Sequence, residues 1–273
     1  MNVDNKTSNT SLNKKKRISY KRASEERLGE TRLNTMGSKM WIIEYVTNNN
    51  ITVQFENGFT VKTYYQEFLK GKVKNPYDIS VYNVGYLGEG VYKTWTNGER
   101  SRQYKCWSQM LSRCYSSKVQ EKHPTYKGCT VCEEWHNYQN FAKWYDENII
   151  EVEGEKIALD KDLLIKNNKI YSPQNCCFLP QPLNTILVKS NSIRGLNPIG
   201  LTFNKRANKY YVNCCDGNGK IKYLGSFNSK DQAFKTYKEY KESVIKSQAK
   251  KYKEYISKKS YQALIEYKVD VDD

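Results

Sequence analysis

The spacing of hydrophobic positions changes along the chain, and its first clear signal is that of β-strands. Residues 51–55 alternate hydrophobic and polar side chains, which is the period of a half-buried strand. Strand-like runs also lie at residues 40–47 and 59–65. Asn57-Gly58, between residues 51–55 and 59–65, is a hairpin signal. Residues 36–100 are therefore predicted to form a small antiparallel β-module followed by a linker rich in Gly and Tyr.

The period becomes that of an amphipathic helix between residues 103 and 117. Hydrophobic side chains recur there at positions i, i+3, i+4 and i+7, and a second stripe follows after Glu133. The two stripes consist of Trp107, Met110, Leu111 and Cys114, and of Trp135, Tyr138, Ala142 and Tyr145. Stripes of this kind usually pack into a core, so we predict that both are buried.

Strand periods return near the C-terminus and are followed by a long helical pattern. The predicted strands are Ile199–Phe203, Lys209–Cys215 and Lys220–Phe227. Ser229 and Gln232 then form a capping box for a helix that is predicted to run to about Tyr267. Alternation places one set of side chains toward this helix (Tyr210, Val212, Cys214) and the other set outward (Tyr211, Asn213, Cys215).

Composition adds a strong positive charge to this picture. Lys and Arg number 45 against 29 Asp and Glu, for a formal net charge of +16. This balance favours a polyanionic partner and disfavours acidic substrates. No hydrophobic run reaches the roughly 18 residues of a membrane span, and the N-terminus has no secretory signal, so we expect a cytoplasmic protein without membrane contacts. Residues 1–35 are polar and basic, which predicts a disordered tail.

Four C-terminal segments then point to a known family. They are Ile199-Gly200-Leu201, Lys209-Tyr210-Tyr211-Val212, Tyr223-Leu224-Gly225-Ser226-Phe227 and Gln232-Ala233-Phe234 with Tyr237. Together they resemble the AP2 DNA-binding domain, in which a three-stranded sheet lies in the major groove and a helix packs on its back. The resemblance implies that residues 196–273 alone bind double-stranded DNA.

Side-chain chemistry selects the residues that would contact the DNA. Arg and Asn make bidentate contacts with guanine and adenine, whereas Lys contacts phosphates and positions the protein. The predicted DNA-binding residues are Thr202, Asn204, Lys205, Arg206, Lys209, Tyr211, Asn213, Lys220, Lys222 and Tyr223.

A second resemblance covers the middle of the chain. Its segments are Lys127–Trp135, Leu159-Asp160-Lys161-Asp162, Tyr171–Cys176 and Leu183-Asn184. They resemble the homing-type HNH endonucleases of phages and mobile introns, whose branch often carries an appended AP2 domain. The resemblance implies a strand–strand–helix (ββα) unit that holds Mg²⁺ or Mn²⁺, and a location in the cytosol of a phage-infected or bacterial host.

The family pattern can be transferred residue by residue. Asp160, or alternatively Asp162, is the implied metal carboxylate, Asn175 the central asparagine and Asn184 the helix ligand of the metal. Lys161 stands where the family has a histidine base. Lysine has an ordinary pKa of about 10.4, so it is a poor base at neutral pH unless burial lowers that pKa strongly.

Two functions follow from this departure. The chain is either a DNA endonuclease that nicks weakly, with Asp160, Lys161, Asn175 and Asn184 as its catalytic set, or a DNA-binding protein whose nuclease unit no longer cleaves. His123 and His136 lie well upstream, and the sequence does not show whether either approaches the site. A basic protein that binds RNA or a membrane surface ranks last, because RNA-binding motifs and a basic amphipathic helix are missing.

The sequence thus predicts an α+β protein in four segments. These are a tail (1–35), a β-module with linker (36–100), an HNH-like module (101–190) and an AP2-like domain with a long C-terminal helix (196–273). Cys129 and Cys132 have the spacing of zinc ligands, but no clean second pair accompanies them, so we predict no structural zinc.

Overall fold

The computed structural model describes residues 22, 24–188 and 197–271, and its architecture is α+β, as the sequence predicts. The chain divides into two compact units, Met1–Val91 and Tyr92–Asp273. Within the described ranges no helix is both long and apolar enough to cross a membrane. Most of the predicted basic tail, including residues 14–17, lies outside the described residues.

The first unit is built around a four-stranded antiparallel sheet with strand order β1-β2-β3-β4. Its elements are β1 (Thr31–Leu33), β2 (Lys39–Thr47), β3 (Asn50–Phe55), β4 (Thr60–Thr63) and the short helix α1 (Tyr65–Leu69). Ile51, Val53 and Phe55 are fully buried, which confirms the alternation in β3. The prediction of a tail up to residue 35 is wrong at β1, because Thr31 pairs with Trp41 and extends the sheet.

The second unit opens with a hairpin and helices that carry the two hydrophobic stripes. The elements are β5 (Trp95–Thr96), β6 (Glu99–Arg100), α2 (Arg102–Tyr115), α3 (Ser117–Lys122) and α4 (Tyr138–Asn148). The predicted stripe of α2 is buried in full, and Tyr138, Ala142 and Tyr145 of the second stripe are buried on α4. Trp135 precedes α4 in a 3₁₀ turn, where its carbonyl accepts a hydrogen bond from Trp107 Nε1 at 2.7 Å.

A strand–strand–helix unit follows α4. Its neighbourhood contains β7 (Thr130–Val131), β8 (Ile157–Asp160), β9 (Ile170–Tyr171), β10 (Cys177–Pro180) and α5 (Gln181–Ile186). β8 pairs antiparallel with β10, so that Asp160 lies opposite Cys177, and α5 contacts both strands. The long loop between β8 and β10 is anchored because β9, within that loop, pairs in parallel with β7.

The C-terminal part forms an antiparallel sheet backed by a helix. It consists of β11 (Leu201–Asn204), β12 (Lys209–Cys215), β13 (Ile221–Phe227), α6 (Lys230–Lys251) and α7 (Lys258–Ile265), with strand order β11-β12-β13. The side chain of Ser229 caps α6 by accepting a hydrogen bond from the Gln232 N–H. The predicted single helix is wrong beyond Lys251: the chain leaves α6 at Tyr252, makes a 3₁₀ turn and starts α7 after Ser257.

The end of α6 and the whole of α7 pack onto the strand–strand–helix unit. One buried cluster joins residues of that unit (Leu163, Cys177, Leu179, Leu183, Ile186) to residues of the C-terminal helices (Ile245, Ala249, Tyr252, Ile256, Leu264). A separate cluster fills the space between the sheet and the first half of α6. The strand–strand–helix unit and the C-terminal part therefore share a hydrophobic core.

Candidate nucleic-acid interface and carboxylate site

The sheet formed by β11, β12 and β13 has one face on α6 and one face open to solvent. Leu201, Val212 and Cys214 point toward α6 and are buried, which confirms the predicted alternation of β12. We call the opposite side the outer face. It consists of Thr202, Asn204, Lys209, Tyr211, Asn213, Cys215, Ile221, Tyr223 and Ser226, all of which are partly or fully exposed.

Aromatic and hydrophobic side chains stand exposed on this outer face. The ring centroids of Tyr211 and Tyr223 are 6.0 Å apart, and Tyr223 and Ile221 are 55% and 77% exposed. A bulge in β13 produces this arrangement: Val212 pairs with Gly225 but Asn213 pairs with Tyr223, so Leu224 is the extra residue. Leu224 packs toward the core while Tyr223 stays outside.

Positive side chains flank the outer face at both ends. Lys205 and Arg206 lie in the turn between β11 and β12, Lys209 begins β12, and Lys220 lies in the turn before β13; all four are exposed. Asp216 belongs to the second turn, where N–H groups of Asn218 and Lys220 donate to its carboxylate at 2.8 and 3.1 Å. These hydrogen bonds, that of Asn218 foremost, lower the pKa of Asp216, and its charge is used within the turn.

The structure places two of the predicted DNA-binding residues differently from the sequence analysis. Lys222 lies opposite the buried Cys214, and its Nζ is 5.0 Å from the ring centroid of Tyr240 on α6. Lys222 therefore faces the helix side of the sheet, because paired residues point to the same face. Arg206 was expected to lie across the sheet from the outward side chains of β12, but it lies in the turn after β11, beyond the last paired residue, Asn204.

Asn204 is on the outer face, but its side chain has a structural role. Its Oδ1 accepts hydrogen bonds from the backbone N–H groups of Arg206 and Ala207, both at 3.0 Å. These bonds close the turn after β11. A bidentate contact with adenine needs that same oxygen as an acceptor, so the turn competes with base recognition at this position.

Asp160, at the end of β8, is held by the backbone that follows it. Its Oδ1 accepts hydrogen bonds from the N–H groups of Leu163 at 2.7 Å and Asp162 at 3.0 Å. Burial raises the pKa of the Asp160 carboxyl; the Leu163 N–H opposes this shift and the charge of Asp162 adds to it. No described residue makes a hydrogen bond to Oδ2, which leaves one carboxylate oxygen for a ligand.

The ammonium group of Lys161 donates three hydrogen bonds. Its Nζ donates to Oδ1 and Oδ2 of Asp162 at 2.7 and 2.8 Å and to the carbonyl oxygen of Asn168 at 2.7 Å. Only 8% of its side chain is exposed. An ammonium group has three donors, and these three oxygen atoms engage all of them. The same contacts engage both oxygens of Asp162, which favours Asp160 as the metal carboxylate.

Asn168 organises the loop and is not among the residues predicted from the sequence. Its Nδ2 donates to the carbonyl oxygens of Lys161 at 2.9 Å and Ile170 at 2.7 Å, and its Oδ1 accepts from Asn175 Nδ2 at 3.3 Å. Asn175, the predicted central asparagine, therefore contacts Asn168 and not a histidine. A weak signal was present in the sequence: Asn167-Asn168 marks a turn, and Asn167 has a φ of 62°.

Asn184 and the two histidines lie outside this loop. Asn184 is partly buried on α5, the helix that contacts β8. His136 Nε2 lies 3.1 Å from the carbonyl oxygen of Val131, and the His123 ring packs beside Tyr126. Among the contacts of the described residues, none joins either histidine to Asp160 or Asn175.

The side chains that the HNH resemblance implies as metal ligands supply oxygen atoms, Oδ2 of Asp160 and the amide oxygen of Asn184, and no hydrogen bond among the described residues joins the two side chains. Oxygen is the ligand atom that Mg²⁺ takes, and the ion keeps several waters beside one or two carboxylates. In the described part of the chain no three His, Cys, Asp or Glu side chains come together. Cys129 and Cys132 are free thiols, and burial raises the pKa of Cys132.

Comparisons with protein-family models, with curated proteins and with solved structures found no match to this chain.

Proposed function

We propose that this chain binds double-stranded DNA by placing the outer face in the major groove, as the AP2 domains that its sequence resembles do. The observation that carries the proposal is an exposed sheet face with amide, hydroxyl and aromatic groups, flanked by the cations Lys205, Arg206, Lys209 and Lys220. Cations of this kind neutralise phosphates and fix the register of the protein, while side chains of the face reach base edges.

The dimensions of the sheet support the same docking. Neighbouring strands lie about 4.8 Å apart, so three strand backbones span about 10 Å, which is less than the roughly 12 Å width of the major groove. Side chains of the outer face point away from α6, so the helix does not obstruct the approach of a duplex.

Direct binding measurements test this proposal. The full chain is titrated into a fluorescent duplex at low salt, and fluorescence anisotropy is followed as salt is raised. We expect binding that weakens steeply with salt, because counterions are released from the phosphates. A chain that shows no binding to duplex DNA at low salt would overturn the proposal.

We further propose that β8, β10 and α5 form an HNH-like unit that nicks DNA weakly with Mg²⁺ or Mn²⁺. Asp160 and Asn184 are the residues that would hold the ion, which when bound polarises the scissile phosphate and stabilises the leaving oxygen. The carboxylate of Asp160 is fixed by two N–H groups and retains one oxygen for this purpose. Activity is weak because Lys161, in the position of the family histidine, is an engaged cation.

The contacts of Lys161 also favour the second candidate function, that of a DNA-binding protein whose nuclease unit no longer cleaves. Lys161 is a cation at the position where the family has a base. Its ion pair with Asp162 also engages both oxygens of the second carboxylate that could hold a metal. A plasmid-nicking assay with and without Mg²⁺ or Mn²⁺ separates the two. Metal-dependent conversion of supercoiled to open-circular DNA supports the nuclease, and intact plasmid with every ion supports the DNA-binding protein.

A further inference from the structure

We infer that the outer face selects A·T base pairs over G·C pairs, with Asn213 contacting adenine and Ile221 contacting the methyl group of thymine. The inference rests on the proposed binding of duplex DNA and adds to it the class of base pair that is recognised. It follows from three features of the face: an available amide, an exposed aliphatic side chain, and the absence of arginine from the outward strand positions defined above.

Asn213 has the position and the chemistry of an adenine contact. It lies in the middle of β12, its backbone N–H donates to the Gly200 carbonyl oxygen at 3.0 Å, and its side chain is exposed. That side chain makes no hydrogen bond to another described residue. An asparagine amide pairs with N6 and N7 of adenine by donating one hydrogen bond and accepting another. Asn204, by contrast, uses its oxygen to close a turn.

Ile221 supplies an apolar contact that the fold itself does not use. It begins β13 opposite Cys215, and 77% of it is exposed, the largest value for a hydrophobic residue of the sheet. With the rings of Tyr223 and Tyr211 it makes an apolar strip on the outer face. Thymine is the base that presents a methyl group in the major groove, and apolar side chains recognise it there.

The cations of the face are poorly placed for guanine. Guanine is read by Arg or Lys through a bidentate contact with O6 and N7. Arg206 lies in a turn outside the strands, where its N–H is bound by Asn204. Lys209 lies at the start of β12, beside the same turn and away from Asn213. Cations at the edge fit the sugar–phosphate backbone, which carries no sequence information.

Matched duplexes test the inference with the full chain. Three short duplexes of equal length are used: alternating A·T, the same duplex with uracil in place of thymine, and alternating G·C. Uracil lacks only the methyl group. We expect the tightest binding to the A·T duplex, and a loss of about fourfold or more on replacement by uracil, the value for one buried methyl group.

Variants assign the two contacts. Ile221→Ala should bind the thymine and uracil duplexes equally, with its affinity for the uracil duplex unchanged, and Ile221→Val should keep most of the difference. Asn213→Ala should lower the affinity for the thymine and uracil duplexes alike and keep the difference between them, because Ile221 still contacts the thymine methyl group. Ile79→Ala, at an exposed isoleucine of the first unit, is the matched control and should change nothing.

The outcomes separate this inference from the proposed function. Equal affinities for the three duplexes would overturn the base-pair preference and leave DNA binding intact, whereas no binding to any duplex would overturn both. If Ile221→Ala leaves every duplex affinity unchanged and instead alters self-association in sedimentation, the apolar strip is a protein contact and the inference is wrong.

Discussion

The ammonium group of Lys161 lies 2.7 Å from Oδ1 and 2.8 Å from Oδ2 of its neighbour Asp162. Adjacent side chains can pair in this way because Asn168 folds the loop back, accepting from Lys161 Nζ with its carbonyl oxygen and donating to the Lys161 carbonyl. In the proposed HNH-like unit, a buried and fully engaged cation thus takes the position of the family's base. The proposed nicking rate should therefore depend on which side chain stands at position 161.

Lys161→His should raise the rate of metal-dependent nicking. The change removes the ion pair with Asp162 and supplies an imidazole that can take a proton from water at neutral pH. General-base catalysis typically contributes about 10²- to 10⁴-fold, so an increase within this range is expected in a plasmid-nicking assay.

Lys161→Met is the matched control for this substitution. It keeps an unbranched side chain, one atom shorter, and releases Asp162, but it adds no base. We expect the histidine variant to cleave faster than the methionine variant. If wild type shows no cleavage with any divalent ion and Lys161→His does not restore it, the enzyme proposal fails and the DNA-binding function remains.

Asp160→Asn should abolish nicking without unfolding the protein. The amide oxygen can still accept from the N–H groups of Leu163 and Asp162, whereas the negative charge is lost. Asp160→Ala also removes those hydrogen bonds and should lower the free energy of unfolding by about 1 kcal/mol or more. Equal nicking by wild type and Asp160→Asn would show that this carboxylate is not the metal ligand.

The raised pKa of Asp160 gives this prediction a pH dependence. Because burial raises the pKa of the metal-free carboxyl, protons compete with the metal ion for it on acidification, so half-maximal nicking should need more Mg²⁺ at lower pH. The raised pKa also means that ionised Asp160 lowers the free energy of unfolding at pH values above its folded pKa, compared with the protonated form. Asp160→Asn should therefore match or exceed the melting temperature of wild type at neutral pH.

Glu242 of α6 should stabilise the C-terminal part at neutral pH. Its carboxylate accepts from the Val269 N–H at 3.0 Å and lies 3.2 Å from Lys238 Nζ and 3.6 Å from Lys268 Nζ. Burial acts to raise the pKa of Glu242, but these three groups outweigh it and lower the pKa. The stabilisation is therefore present above the ordinary glutamate pKa of about 4.3 and is lost as pH falls through the folded value.

Glu242→Gln tests this contribution. The free energy of unfolding, measured in urea, should fall by about 1 kcal/mol at neutral pH, and the difference from wild type should disappear in acid. A difference that stays constant with pH would show that the carboxylate charge is not responsible.

Leu264→Ala should destabilise the whole second unit and not only α7. Leu264 is fully buried in the core that α7 shares with β10 and α5, and truncations of this kind cost about 2–5 kcal/mol. All five tryptophans precede residue 150, and Trp144 packs against Phe178 of β10, so their fluorescence reports on parts of the chain outside the C-terminal part. A lowered urea midpoint by tryptophan fluorescence is expected, and an unchanged midpoint would show that the C-terminal part unfolds independently.

The shared core also bears on the prediction that residues 196–273 alone bind DNA. Separated from β10 and α5, that fragment exposes Ile245, Ala249 and Leu264. We expect it to be less stable than the same residues in the full chain. For this reason the binding measurements use the full chain.

Local patterns predicted the secondary structure well where burial is periodic. The stripe Trp107, Met110, Leu111 and Cys114 is the buried face of α2, and alternation in β12 assigned Val212 and Cys214 to the core. Helical and strand periods carry this information directly, because each records which side of an element meets the core.

Contacts between distant positions were not predictable in the same way. No periodicity relates Lys161 to Asn168, so their hydrogen bonds could not be anticipated. No Gly or Pro in the sequence marks the end of α6 at Lys251. The chain turns at Tyr252, which packs in the shared core and whose hydroxyl donates to Glu155 Oε1 at 2.7 Å.

A comparison of Lys209→Ala with Lys222→Ala shows whether the outer face binds duplex DNA. Each substitution removes one positive charge from the same sheet, but Lys209 lies on the outer face and Lys222 on the helix side. The dissociation constant of the full chain for one duplex is measured over a range of salt concentrations. We expect Lys209→Ala to weaken binding and to reduce the logarithmic salt slope by about one, whereas Lys222→Ala should leave both unchanged. Equal effects of the two substitutions, or a larger effect of Lys222→Ala, would contradict this expectation.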